Sequence, residues 1–224
     1  MISVNPADGL LRFSGESKKR GVLTPQEAAL VFGATWNDNR AYTANLLAIT
    51  TGLRSGEVLA LRKSDIGISE NILYIRHSWA YTDGLKSPKN GEERKIPLLP
   101  EVREHLMELL KENPHEGDDP FIFYGASQDK PMCNRLMLEG LKEACRAAGI
   151  EPAGRGIVFH SHRHYYAARM ADRMTAEQVS RITGHKSKAV FEEYADHIIT
   201  ENLEAAGAIG AEVFGNIIGF RKGA

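Results

Sequence analysis

The pattern of apolar and polar positions along this 224-residue chain predicts helices over most of its length. The first begins at Pro25, because Thr24 and Glu27 form a capping box around a proline suited to the first helical position. Gly52 ends a second helix, and Ser55 is expected to cap a short third one. The helices are predicted over residues 25–32, 36–50, 56–62, 100–112, 131–148, 161–172, 176–183, 187–194 and 200–218.

Between the third and fourth helices the pattern changes to short runs of strand-forming residues. Residues 71–76 and 78–81 are predicted strands with a turn at 82–84, and residues 94–98 complete a small antiparallel sheet. Pro97 restricts the last strand to an edge or an end, because it has no backbone N–H to donate. The sequence therefore predicts a mainly α fold of the α+β class with one small three-stranded antiparallel β-sheet.

Composition narrows the class of protein. Apolar residues make up 42% and charged residues 25% of the chain, which is typical of soluble globular proteins. The two cysteines, Cys133 and Cys145, are too few for a disulfide framework, and no signal peptide follows Met1. Residues 205–220 are the longest apolar tract, but Glu212 interrupts it, so no membrane span is expected. These features favour the cytoplasm.

The charge is balanced overall and segregated along the chain. The net charge of −1 does not by itself indicate a polyanionic partner. Residues 151–190 hold seven basic and three acidic residues, a net of +4, whereas residues 99–119 hold two and seven, a net of −5. A neutral chain with this distribution can still present a basic face to a nucleic acid.

Five short segments carry side chains that suit phosphoryl transfer. These side chains are Arg54 with Glu57, Lys89, His160 with Arg163, His185, and Tyr194. Arg54 stands between a glycine and a helix start, and Glu57, three residues on, can orient it. Two guanidiniums can hold the non-bridging oxygens of a phosphate, a tyrosine can act as nucleophile, and a lysine can protonate a leaving oxygen. No carboxylates with metal-ligand spacing accompany them.

The same segments resemble the catalytic domain of the tyrosine recombinases, also called phage integrases. The matching strings are TGLRSGEVLAL at residues 51–61, HSHRHYYAA at 160–168, ITGH at 182–185, and Tyr194 at the fitting distance from His185. Each string alone is weak evidence, but four in the same order and spacing are strong. The lysine match is looser, because hairpin length varies in the family, and Lys86 competes with Lys89.

The resemblance implies a metal-free and cofactor-free reaction. Tyr194 would attack the scissile phosphate to form a 3′-phosphotyrosyl link, while Arg54 and Arg163 hold the phosphate. His160 and His185 would contact it and help move protons, and Lys89 would protonate the 5′ leaving oxygen. The covalent link conserves the phosphodiester energy, so rejoining needs no ATP.

The resemblance also implies partners and a domain plan. The expected partners are double-stranded DNA and other copies of the chain, which would form a tetramer on DNA and be a monomer without it. No membrane partner is expected, and the protein would associate with the nucleoid only when it is bound to DNA. Residues 1–20 are expected to be a linker from a missing N-terminal core-binding domain, in a truncated or naturally short member. Residues 21–199 would be the catalytic domain. The tail, residues 200–224, would pack on a neighbouring protomer or on its own domain.

Two other functions remain open from the sequence. A type IB topoisomerase would use the same tyrosine chemistry to relax DNA without bringing two sites together. A decayed integrase would bind DNA without catalysis, and the loss of a site residue would reveal it, but all of the residues above are present.

Overall fold

The computed structural model describes residues 21–88, 91, 93–171, 173–184 and 195–218. Within these residues the chain is mainly helical. The helices are α1 (Pro25–Gly33), α2 (Asn39–Thr51), α3 (Ser55–Leu59), α4 (Pro100–Glu112), α5 (Asn134–Ala147), α6 (Pro152–Arg155), α7 (Ser161–Ala171), α8 (Ala176–Thr183) and α9 (Ala195–Ile218). The strands are β1 (Ile66–Gly67), β2 (Ile72–Ile75), β3 (Ser78–Ala80), β4 (Gly84–Lys86) and β5 (Arg94–Pro97). The predicted fold class is confirmed.

Local signals predicted the start of α1 but not the starts of α2 and α3. The Thr24 hydroxyl accepts from the Glu27 N–H at 3.2 Å, and the Glu27 carboxylate accepts from the Thr24 N–H at 2.8 Å, as the capping box predicted. The prediction that α2 starts near residue 36 was wrong, because Asp38 caps a helix that begins at Asn39. The prediction of Ser55 as a cap was also wrong: Arg54 is the N-cap residue of α3.

Helix α2 is the centre of the fold, and it packs against α4, α5 and α7. Its residues from Ala41 to Thr51 are all buried, and the side chains of Asn45, Thr50 and Thr51 donate to backbone carbonyls. The Asn45 amide donates to the carbonyls of Ala41 and Met137 and contacts the His162 ring at 2.8 Å. Burial lowers the pKa of His162 to about 3, so this ring is neutral at physiological pH and ties α7 to α2.

The strands form two separate sheets. The first is antiparallel in the order β1-β2-β5, with Leu73 opposite Ile96, and β5 lies at its edge as Pro97 predicted. The second is the hairpin β3–β4, with Trp79 opposite Leu85. The prediction that residues 78–81 belong to the three-stranded sheet was therefore wrong. Residues 66–67 supply its third strand, and the hairpin packs on α3.

The final helix, α9, packs on its own chain. It begins at Ala195, before the predicted start of the tail at 200, and contacts α1, α7 and β5. Phe214 is fully buried and stacks on Tyr166, with ring centroids 5.9 Å apart and 4° between the ring planes. Residues 1–20, the predicted helix at 187–194 and residues 219–224 lie outside the described residues. In the described part of the chain, no helix is both long enough and apolar enough for a bilayer crossing.

Phe214→Ala tests how strongly α9 holds to the domain. Truncating a fully buried phenylalanine is expected to lower the free energy of unfolding by about 3–5 kcal/mol, because it leaves a cavity against Tyr166. Urea unfolding monitored by circular dichroism measures this loss. Glu212→Ala, which removes an exposed ion pair with Arg173 from the same helix, is the control and should cost much less. Equal losses in the two variants would contradict the packing of α9 on its own domain.

Candidate active site

Arg54 is placed by the sharp turn that ends α2. Gly52 adopts a left-handed conformation with φ of 70°, and a Cβ there would lie 2.9 Å from side-chain atoms of Thr183 and Tyr166. Glycine therefore permits the close approach of α2 to α7 and α8. Two residues later Arg54 stands at the N-terminus of α3 with its side chain 23% exposed.

Glu57 is the buried anion around which the arginines gather. Only 1% of it is exposed, and its carboxylate accepts from the Arg54 N–H at 2.9 Å and from Arg54 Nη1 at 3.1 Å. Arg94 adds two parallel bonds of 3.0 and 2.9 Å, one to each carboxylate oxygen. Burial works to raise the pKa of Glu57, but the bonds and charge of Arg94, with help from Arg54, hold it below its ordinary value. Glu57 is therefore ionised at neutral pH.

Arg163 lies on α7 and is 2% exposed. Its Nη1 donates to the carbonyl of Gly52 at 3.0 Å and to the carbonyl of Thr183. Burial, followed by the positive charge of Arg54, lowers the pKa of Arg163 to about 10. The guanidinium therefore remains charged at neutral pH within a cationic site.

The end of α8 brings the three arginines together. The last carbonyls of a helix need donors from outside its regular hydrogen-bond pattern, and arginines bind three successive carbonyls at the end of α8. Arg94 Nε donates to Ile182 O at 2.8 Å, Arg163 donates to Thr183 O, and Arg54 Nη2 donates to Gly184 O at 3.1 Å. Cations are also favoured there by the negative end of the helix dipole. Residues far apart in sequence thus meet directly before His185.

The other predicted site residues are only partly described. His160 lies just before α7 rather than on it, and its carbonyl accepts from the Arg163 N–H at 3.1 Å. Its ring meets that of His164 edge to face, with centroids 5.1 Å apart. Lys89, His185 and Tyr194 lie outside the described residues.

Residues 22–200 match the sequence pattern of the phage integrase family. The chain belongs to this family. Its similarity to the tyrosine recombinase XerA of Pyrococcus furiosus is 26% identity over 181 residues, which are 78% of this chain and 55% of that protein. The chain spans between 32% and 55% of the length of the curated relatives it matches.

Solved structures of integrases share the fold. The Tn1549 transposon integrase in complex with transposon right end DNA has a TM-score of 0.63 at 22% identity, covering 91% of this chain and 65% of that one. A λ integrase tetramer bound to a Holliday junction has a TM-score of 0.59 at 20% identity, covering 82% and 52%. The arrangement of helices and sheet is therefore that of an integrase catalytic domain.

Arg94 is the residue of the arginine cluster that sequence reasoning missed. Its position in a strand pattern identified it only as part of β5. The available signal was electrostatic: a buried carboxylate beside one arginine needs further donors, because a carboxylate has two oxygens to satisfy. Sequence alone could not show which of the many cations supplies them.

Glu57→Gln tests the dependence of the arginine cluster on its anion. The change keeps the side-chain volume but removes the negative charge. The guanidiniums of Arg54, Arg94 and Arg163, which are partly or fully buried, then lack their shared counter-charge. We expect the free energy of unfolding to fall by about 3–5 kcal/mol, as when one partner of a buried ion pair is removed. Chemical denaturation at neutral pH measures it, and Glu139→Gln, at a surface pair with Lys142, is the control. A loss as small as that of the control would contradict the role of Glu57.

Proposed function

We propose that this chain is the catalytic domain of a site-specific DNA recombinase that cleaves and rejoins strands through a 3′-phosphotyrosyl intermediate. The observation that carries the proposal is the placement of Arg54 and Arg163. Both guanidiniums are held on consecutive carbonyls, Gly184 O and Thr183 O, at the residues that lead into His185. Membership of the phage integrase family supports the same reaction class.

Arg163 and Arg54 differ in how deeply their guanidinium groups are buried. Arg163 is locked in the interior by its bonds to Gly52 O and Thr183 O, whereas Arg54 keeps part of its guanidinium exposed. Guanidiniums fixed in advance can stabilise the extra charge on a phosphate in the transition state without reorganising. Losing one such positioned charge costs about 10²–10³ in rate.

The remaining predicted residues supply the nucleophile and the proton transfers of the reaction. The Tyr194 hydroxyl gives up its proton as its oxygen bonds to phosphorus, and the bond from phosphorus to the 5′ oxygen breaks. Lys89 gives a proton to the departing 5′ oxygen, and His160 and His185 contact the phosphate and accept or return protons. Rejoining reverses these steps, so the phosphodiester energy is conserved and neither ATP nor a metal is consumed.

The proposed partners are double-stranded DNA and further copies of the chain. DNA is present in the complex of the Tn1549 integrase, and a λ integrase tetramer bound to a Holliday junction shares this fold. We propose that this chain also acts as a tetramer on two DNA sites. DNA affinity is expected to fall steeply with salt, because basic side chains displace counterions from phosphates.

Tyr194→Phe tests the nucleophile. Incubation of the wild-type chain with nicked suicide oligonucleotides is expected to yield a protein–DNA adduct that survives denaturation, and the variant should yield none because it lacks the attacking oxygen. Gel-shift titration at low salt provides the control, since the variant should retain DNA binding. An adduct formed by the variant would refute this assignment.

Lys89→Ala and Lys86→Ala distinguish the two candidate acids. Lys86 lies on β4 and pairs with Asp83 at 2.8 Å, an arrangement that engages its ammonium outside the arginine cluster. We expect Lys89→Ala to slow cleavage by about 10²–10⁴, the usual contribution of a general acid, and Lys86→Ala to have little effect. The rates of adduct formation under single-turnover conditions decide between them, and the reverse order would move the acid to Lys86.

A further inference from the structure

We propose that Arg94 is a positioning residue for this reaction, which keeps Arg54 available to the phosphate and fixes the backbone that leads into His185. The proposal rests on the proposed function and adds a residue to it. Arg94 is not placed as a catalytic residue. Only 12% of its side chain is exposed, and all three of its guanidinium nitrogens donate to acceptors within the protein.

Arg94 occupies both carboxylate oxygens of Glu57. It binds both carboxylate oxygens, at 3.0 and 2.9 Å, which is the two-bond geometry that arginine forms best with a carboxylate. Arg54 is left with one side-chain contact to the same carboxylate, at 3.1 Å. Without Arg94, Glu57 would be free to form the two-bond pair with Arg54 and would withdraw that guanidinium from the phosphate. Arg94 therefore prevents an inactive pairing that the sequence neighbours Arg54 and Glu57 would otherwise favour.

Arg94 also fixes the end of α8. Its Nε donates to Ile182 O at 2.8 Å, and its guanidinium packs against Gly184 so closely that a Cβ there would lie 3.1 Å from Arg94 Cζ and Nη1. Gly184 has φ of 72°, a conformation that side chains rarely adopt. The close packing and the left-handed turn fix the backbone at Gly184, the residue that precedes His185 in sequence.

The backbone of Arg94 is held in the three-stranded sheet. It begins β5, where it pairs with Ile75 of β2, and Ile96 of the same strand is fully buried. One arginine thus joins strand β5, the start of α3 and the end of α8. A lysine cannot replace it, because an ammonium is a point donor and cannot bind two carboxylate oxygens and a carbonyl in one plane.

Arg94→Lys is the first test. The readout is the single-turnover rate of covalent adduct formation on nicked suicide DNA, with enzyme in excess of the measured Kd. We expect the rate to fall about 10- to 100-fold, while the Kd for the same DNA changes less than about twofold, because small misplacements of a clamping group act on the chemical step. A rate within about twofold of wild type would overturn the proposal.

Arg76→Lys is the matched control. Arg76 follows β2 and pairs with Asp65, another buried carboxylate, at 2.9 Å, but it does not touch the arginine cluster through any of its described contacts. The control should leave the cleavage rate within about twofold of wild type. If Arg76→Lys slows cleavage as much as Arg94→Lys, general loss of structure explains both and the proposal fails. Should Arg94→Lys not fold, as judged by circular dichroism, Arg94→Gln serves in its place because it keeps one donor to Glu57.

Lys89 lies five residues before Arg94, so a slow Arg94→Lys variant could have misplaced either the arginines or Lys89. A modified substrate distinguishes these two causes. Sulfur in place of the 5′ bridging oxygen departs without protonation, so it should restore cleavage by Lys89→Ala. It should not restore cleavage by Arg94→Lys, whose defect lies at the phosphate clamp. Restoration in Arg94→Lys would overturn the proposal. If the wild-type protein forms the adduct and Arg94→Lys forms it at the same rate, this proposal alone is refuted. If neither the wild-type protein nor any variant forms an adduct, the proposed function itself is contradicted.

Discussion

The candidate site depends on the hydrogen bonds that arginines donate to the carbonyl groups at the end of helix α8. Three arginines, from β5, α7 and the start of α3, bind Ile182 O, Thr183 O and Gly184 O in that order. A helix end buried in a protein needs such donors, and positive charge is favoured there. The same bonds that complete the helix hold the guanidiniums where a phosphate is proposed to bind.

Glu57 makes this concentration of positive charge tolerable. Three guanidiniums around one small region repel each other, and the lowered pKa of Arg163 reflects its burial and the neighbouring charge of Arg54. A single buried carboxylate shared between Arg54 and Arg94 offsets part of that repulsion without occupying Arg163. The net charge of the cluster remains positive, which suits a dianionic transition state better than a fully neutralised site would.

The surrounding fold is arranged to keep these residues in place. Helix α2 ends in the left-handed Gly52, whose lack of a Cβ lets α7 and α8 approach, and its carbonyl is a further anchor for Arg163. The neutral His162, next to Arg163 in sequence, holds α7 to α2 through Asn45. On the outside, α9 covers α7 through the stack of Phe214 on Tyr166.

The sequence by itself determined the helical character, the capping of α1, the edge position of β5 and the family to which the candidate residues point, because these depend on local spacing and on short motifs. It did not reveal that residues 66–67 complete the three-stranded sheet or that residues 78–86 form a separate hairpin, since strand pairing depends on contacts across the chain. Only the tertiary structure decided that Arg94 binds Glu57, that Arg54 is the cap of α3 and that α9 packs on its own domain. The partner of Glu57 and the packing surface of α9 are each chosen among chemically equivalent candidates by distance in space, and the cap of α3 is set by the backbone conformation at Arg54. Residue types and spacing specify none of the three.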